Sequence, residues 1–213
     1  MKKLLGTLAL TAVAASAFAQ GTVTFGNQTG LVKQWTSTDN TVLISSAKGN
    51  ANVELIAAAT GVALAHPLFT ATTGGTSPNY TTLASFLSAN PGWALGSGTS
   101  NPGGLSVSGI FANGTVTIAN IAEAASAQYF VIGWTGVGSL DNALASGSPF
   151  QGGASAIFTT ATGDPLATPP GAPVNTKTTF GGLTMAPIVV PEPTSFALAG
   201  LGLAALLVFR RRS

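Results

Sequence analysis

The chain has 213 residues, of which 7% are charged, and a formal net charge of +2. Five of its eight cations stand at the ends (Lys2, Lys3, Arg210, Arg211, Arg212), leaving Lys33, Lys48 and Lys177 against Asp39, Glu54, Glu123, Asp141 and Asp164 in the body. This balance excludes an electrostatic footprint for nucleic acid, the lack of cysteine excludes disulfides and thiolate chemistry, and 46% hydrophobic residues exclude disorder driven by charge.

The first element is an address. Lys2 and Lys3 precede a short apolar run, Leu4 to Val13, and Ala17-Phe18-Ala19 gives a small-x-small cleavage pattern. This reads as a secretory signal peptide over 1–19, cut after Ala19. The apolar run is too short to span a bilayer comfortably.

The body, 20–186, is rich in Thr, Gly, Ala and Ser, with short β-prone runs between turn signals. GTVTFGN (21–27) alternates Val23 and Phe25 on one face, and NTVLISS (40–46) reads as a second strand. ANVELIAAATGVALA (51–65) reads as a hairpin around Thr60-Gly61, extended by PLFTATT (67–73). Leu83 to Leu87 reads as a short helix, and ANPGWALGSGTSNPGG (89–104) as a long loop holding Trp93. GLSVSGIFANGTVTIANI (104–121) reads as a hairpin turning at Asn113-Gly114. Ile121 to Ala127 fits either a short helix or a turn. AQYFVIGWTG (127–136) is apolar throughout, as a central strand is.

GASAIFTTATG (153–163) and TKTTFGGLTM (176–185) complete the strands. Between them, GDPLATPPGAPVNT is too proline-rich for a central strand and belongs at an edge or outside the sheet. This spacing predicts an all-β fold, an antiparallel β-sandwich of jelly-roll or Ig-like type. Its core is expected from Phe25, Leu55, Phe69, Ile110, Val116, Ile118, Phe130, Ile132, Trp134, Ile157 and Phe158. APIVVPEP (186–193) reads as a linker.

The tail is a second address, 187–213. Pro191-Glu192-Pro193 holds the chain extended. The uncharged run Thr194 to Phe209 follows, and Arg210 to Arg212 end it. As a helix of about 16 residues it is roughly 24 Å long against a bilayer core of about 30 Å, a marginal transmembrane helix. The arginines act as a stop-transfer signal on the cytoplasmic side. The order of Val190-Pro191-Glu192-Pro193, apolar helix and arginine cluster resembles the PEP-CTERM sorting signal of Gram-negative bacteria.

That resemblance implies recognition of Pro191, Glu192 and Pro193 by an exosortase, and export through the Sec machinery across the inner membrane. The destination it implies is the envelope, surface or extracellular matrix, in association with exopolysaccharide. The body is also similar to a group of small proteins with this tail, through Gly21 to Asn27, Asn52 to Ala58, Tyr129 to Trp134, Ser155 to Gly163 and Thr168 to Pro173. That likeness supports the sandwich and implies no activity.

The search for chemistry is short. The one histidine, His66, precedes Pro67 at a strand junction and reads as a turn residue. No G-x-S-x-G or H-E-x-x-H occurs, and neither a cofactor nor a metal is expected. Asp39-Asn40 and Asp141-Asn142 read as turns that satisfy their own backbone. Trp35, Trp93 and Tyr80 are the candidates for stacking on a glycan; the alternative is that each plugs an end of the core. Three readings result: a non-enzymatic structural or adhesive surface protein, a carbohydrate-binding module, and a glycoside hydrolase that needs two carboxylates about 5–10 Å apart.

Overall fold

The computed structural model describes residues 20–36, 42–72, 75–98, 102–136, 138–146, 149–164 and 171–188. The expected cleavage residues Ala17 and Ala19, the expected recognition residues Pro191 to Pro193, the apolar run and Arg210 to Arg212 lie outside them. Among the described residues no helix is long and apolar enough to cross a membrane.

The body is mostly β. Its centre is a long pair. Strand β4 (Ala51–Ala59) and strand β10 (Ser126–Thr135) run antiparallel, with Ala51 opposite Thr135 and Ala59 opposite Ala127. Successive side chains on a strand point to opposite faces, and here both faces are buried, which explains the unbroken apolar run of β10. Val53, Leu55, Ala57, Tyr129 and Val131 face one core, and Ile56, Ala58, Phe130, Ile132 and Trp134 face another.

The inner core is closed by the flanks of the same sheet. On one side lie β7 (Trp93–Ser97), β9 (Ala112–Ile118), β1 (Gly21–Gly26) and the outermost β13 (Val174–Asn175). On the other lie β11 (Gln151–Ala154), β14 (Leu183–Pro187), β2 (Val32–Trp35) and β3 (Leu43–Ser45). Val23 and Phe25 of β1, Val116 and Ile118 of β9, and Leu183 and Met185 of β14 all enter the inner core with Val53 and Leu55. A sheet whose two wings share one core must curl. Burying each such large side chain contributes about 1.5–3 kcal/mol.

One corner of the curl has a local cause. Gly133 of β10 pairs with Gly153 of β11. A Cβ on Gly133 would stand 2.5 Å from Leu183 Cδ2, and one on Gly153 would run into the carbonyl oxygen of Thr184. Two facing glycines let β14 fold closely over β10, the bend that glycine permits in a strand.

The outer face of the central pair is covered by helices. Helix α1 (Leu83–Ala89) starts at Thr82, whose hydroxyl accepts from Ser85 N, and it buries Leu83 and Phe86. Helix α2 (Leu140–Ala145) starts at Ser139 in the same way and buries Leu140. A small ribbon of β5 (Phe69–Thr72) and β6 (Gly75–Pro78) stands against β11 and β14.

The all-β expectation holds, but the ladders do not trace the separate antiparallel layers of a jelly-roll or Ig-like sandwich. Among the described residues twelve strands join in one sheet, and it is mixed: β1–β13 and β2–β14 are parallel. Asn113-Gly114 is no hairpin turn. Both residues lie inside β9, and Gly114 (φ 79°) forms a bulge at which the register against β1 shifts between Phe25 and Gly26. The turn at Thr60-Gly61 exists, but Val62 to Ala65 is irregular chain, with Val62 and Leu64 packed on the outer core. Trp93 opens a strand instead of sitting in a loop.

Other departures are smaller. The run 153–163 splits into β11 and β12 (Phe158–Ala161), both on the same edge of β10. Ser155 bridges the gap: its N–H donates to Val131 O, and its Oγ accepts from Val131 N. The loop that Ser155 begins turns Ile157 outward, 44% exposed, so it is not core; Phe69, Ile110 and Phe158 are half-buried. Thr176–Thr178 is a 3-10 turn and β14 starts only at Leu183. Ile121 to Ala125 is turn. Pro187 still belongs to β14, so strand runs into the expected linker. The proline-rich stretch does end in the edge strand β13, as expected.

Candidate functional site

A concave feature lies at one rim of the curl. Gln34 of β2, Asn50 just before β4, Thr135 and Gly136 at the end of β10, and Gln151 of β11 meet Asn142, Ala143 and Ser146 of the α2 segment. Pro149 and Phe150 supply the apolar part. The groove holds about 520 Å³. Such volumes are usual for small-molecule sites, and barrel mouths are a usual place for them.

Among the described residues the lining carries no charge, and much of it is held in place. Gln34 Oε1 accepts from Ser46 Oγ at 2.6 Å and from Asn50 Nδ2 at 2.9 Å. Gln151 Oε1 accepts from Trp35 N at 2.9 Å, and its Nε2 donates to Trp35 O at 2.6 Å. Gln151 N donates to Thr135 Oγ1 at 2.9 Å. A second hollow of about 310 Å³ lies between Thr29–Lys33 and Gly181–Thr184.

The carboxylates are elsewhere. Glu54 faces the outer side of β4 and is 5% exposed. Burial, then the nearby Asp141 charge, pushes its carboxyl from 4.5 up to about 7. Asp141 itself ties the two helices: its Oδ1 accepts from Leu83 N at 2.7 Å, at the start of α1. The Glu123 carboxyl is also pushed up, first by loss of water, then by a hydrogen bond with Asp164 and that residue's charge. None of these acids lines either hollow. Among the described residues no three of His, Asp and Glu gather as a metal site would require.

The aromatic candidates separate. Trp93 is 4% exposed, packs on Phe130 at 5.1 Å and donates Nε1–H to Ala63 O. It offers no face to a sugar and takes the core-plug role instead. Tyr80 is half-buried with its ring edge on Phe86, 5.6 Å away. Trp35 is half-buried on β2 beside the groove, its backbone held by Gln151. Trp134 is core, as expected, and donates to Gly138 O at 3.2 Å. Histidine 66 is exposed, and its backbone N–H and C=O are both clamped by the Asn90 amide.

Sequence reading missed the amides. Asn27, 3% exposed, accepts from Phe111 N at 2.7 Å and donates to Gly109 O at 2.9 Å and to Gly30 O. Thr176 accepts from Gly26 N and donates to Gly26 O. These bonds fasten the end of β1 to two distant segments, which is a reason for an Asn in GTVTFGN. The groove amides gave no local signal, since Gln34, Asn50, Asn142 and Gln151 are far apart in sequence.

Residues 189–212 match the family model of the PEP-CTERM protein-sorting motif. The chain carries a PEP-CTERM sorting motif. That match supports an exported protein, processed by an exosortase and destined for the bacterial cell envelope or surface. It covers the tail and leaves the β body to be read from its own residues. No curated protein and no solved structure matches the chain.

Proposed function

We propose that this is a non-enzymatic protein of the cell surface or extracellular matrix of a Gram-negative bacterium, with a structural or adhesive role. The observation that carries the reading is the sorting motif at 189–212. The signal-peptide pattern over 1–19 agrees with it: Sec export would place the body outside the inner membrane, with Arg210 to Arg212 left on the cytoplasmic side. A nearly neutral, tightly hydrogen-bonded β body fits a protein that works through its surface.

The test is intact mass and location of the protein in its host, with and without the exosortase. Loss of 1–19 and of the tail beyond Pro193, dependent on that enzyme, is the expected result. An uncut chain held in the inner membrane refutes sorting and leaves a plain anchor.

A second reading is a carbohydrate-binding module for exopolysaccharide. Trp35, half-buried beside the amide-lined groove, favours it. Saturable quenching of tryptophan fluorescence by a glycan is the measurement, and no quenching at millimolar glycan argues against it. The glycoside hydrolase reading would require Glu54 with Asp141, or Glu123 with Asp164, to reach substrate; their positions away from both hollows disfavour it.

A further inference from the structure

We infer that the rim groove between β2, the end of β10 and α2 is a binding site for a neutral, hydroxyl-rich chain, an uncharged glycan segment. The inference rests on the carbohydrate-binding reading and gives it a place.

The argument begins with what the groove lacks. None of the described residues that line it is Asp, Glu, Lys, Arg or His. Anions and cations need an opposite charge or a set of aimed dipoles once they leave water, so this lining disfavours phosphate, uronate and metal. What it has is amides and hydroxyls around an apolar patch of Pro149 and Phe150. A sugar ring presents the matching pattern, hydroxyls at its rim and C–H groups on its face.

The second part is order. Gln34 is fixed by two bonds to its Oε1, from Ser46 and Asn50. Its Nε2 then has both N–H groups without a partner among the described residues, and Asn50 Oδ1 is an unspent acceptor beside it. A donor next to an acceptor suits a vicinal diol, in which one hydroxyl accepts and its neighbour donates. Asn142 adds a further unspent amide from α2, and the Thr135 hydroxyl, already accepting from Gln151 N, keeps its proton to donate. Groups held in place before binding lose little entropy on binding.

The third part distinguishes a glycan from an extended peptide. A peptide would add to a sheet through backbone bonds, but the strands at the groove are already paired: β11 lies between β10 and β14, and β2 lies between β14 and β3. The groove offers side chains and no open ladder.

The experiment titrates the full-length chain, in a detergent without a sugar headgroup, with hexamers of glucose, xylose and mannose. An oligogalacturonate and a Gly/Ser peptide serve as the charged and peptide probes. Calorimetry and tryptophan fluorescence are read together. At least one neutral hexamer is expected to bind, and Asn142→Ala and Gln34→Glu are each expected to weaken it about tenfold with the melting temperature unchanged. Asn142 is exposed, so its variant tests the groove without disturbing the core. Equal binding by both variants overturns the groove assignment while the carbohydrate reading stands. No binding of any neutral hexamer at millimolar concentration overturns both. Tighter binding of the oligogalacturonate or the peptide overturns the assignment to a neutral glycan.

Discussion

Replacing Glu54 by Gln should change the way stability depends on pH. The Glu54 carboxyl lies on the outer face of the central pair, under the helices, with Asp141 nearby. Its ordinary value of 4.5 rises to about 7 in the fold, mainly through burial. Between those values the folded chain holds a proton that the unfolded chain has released. Stability therefore falls as pH rises from 4.5 through 7 and then levels off. At 1.36 kcal/mol per pH unit the whole loss is about 3 kcal/mol. For a body of this size that is a fall in Tm of about 6–12 °C.

Glu54→Gln keeps the shape and removes the titration, so the variant should be flatter across this window and clearly more stable than wild type at pH 8. Near pH 4.5 the two should be alike. Denaturant melts of both proteins at steps from pH 4.5 to 8 measure this, and their difference cancels the titrating groups that do not interact with Glu54, Glu123 included. Parallel pH profiles would refute the reasoning, because they would mean that Glu54 ionises in the folded chain as freely as in water.

Three further outcomes are expected. Tyr129→Phe should leave the fold intact and raise stability by about 1 kcal/mol, because the Tyr129 hydroxyl is buried with no partner among the described residues, and burial has pushed it to about 12; a loss of stability in a chemical melt would mean the hydroxyl is bonded. Asn27→Ala should cost about 2–4 kcal/mol by orphaning Phe111 N–H and Gly109 C=O, and hydrogen exchange at Phe111 should speed up more than at Ile132. Gly153→Ala should be destabilised by about 1–3 kcal/mol or more, since the added methyl meets the backbone at Thr184; a Tm equal to wild type would show that the corner has slack.

Much of the β body was legible because side-chain alternation is a local property. Val23 and Phe25, or the apolar run from Tyr129 to Trp134, announce their strands without reference to anything distant. One source of error is that glycine fits several backbone states. Asn113-Gly114 has the composition of a hairpin turn, yet the positive φ of Gly114 serves a bulge, and the choice depends on β1 lying alongside. Val32–Trp35 carries Lys33 and Gln34 and was passed over; its partner β14 lies at the other end of the body. The α2 helix is too short to declare a period. The groove shares this limit, because its amides meet only after β2, β10 and β11 have paired. The sorting motif of the tail is legible because its signal is contiguous, within 189–212.

The pairing of Val32 with Leu183 also sets an order in time. A chain threaded through a membrane pore from its N-terminus delivers β2 early and β14 last. Until Leu183–Pro187 emerges, β2 and β11 lack the strand that joins them, and the inner core lacks Leu183 and Met185. Closure of such distant contacts is slow. If the chain emerges in that order, the sheet is complete only with its final strand, and the matched sorting motif begins only two residues after Pro187. Completion of the fold and arrival of the sorting signal are thus nearly one event.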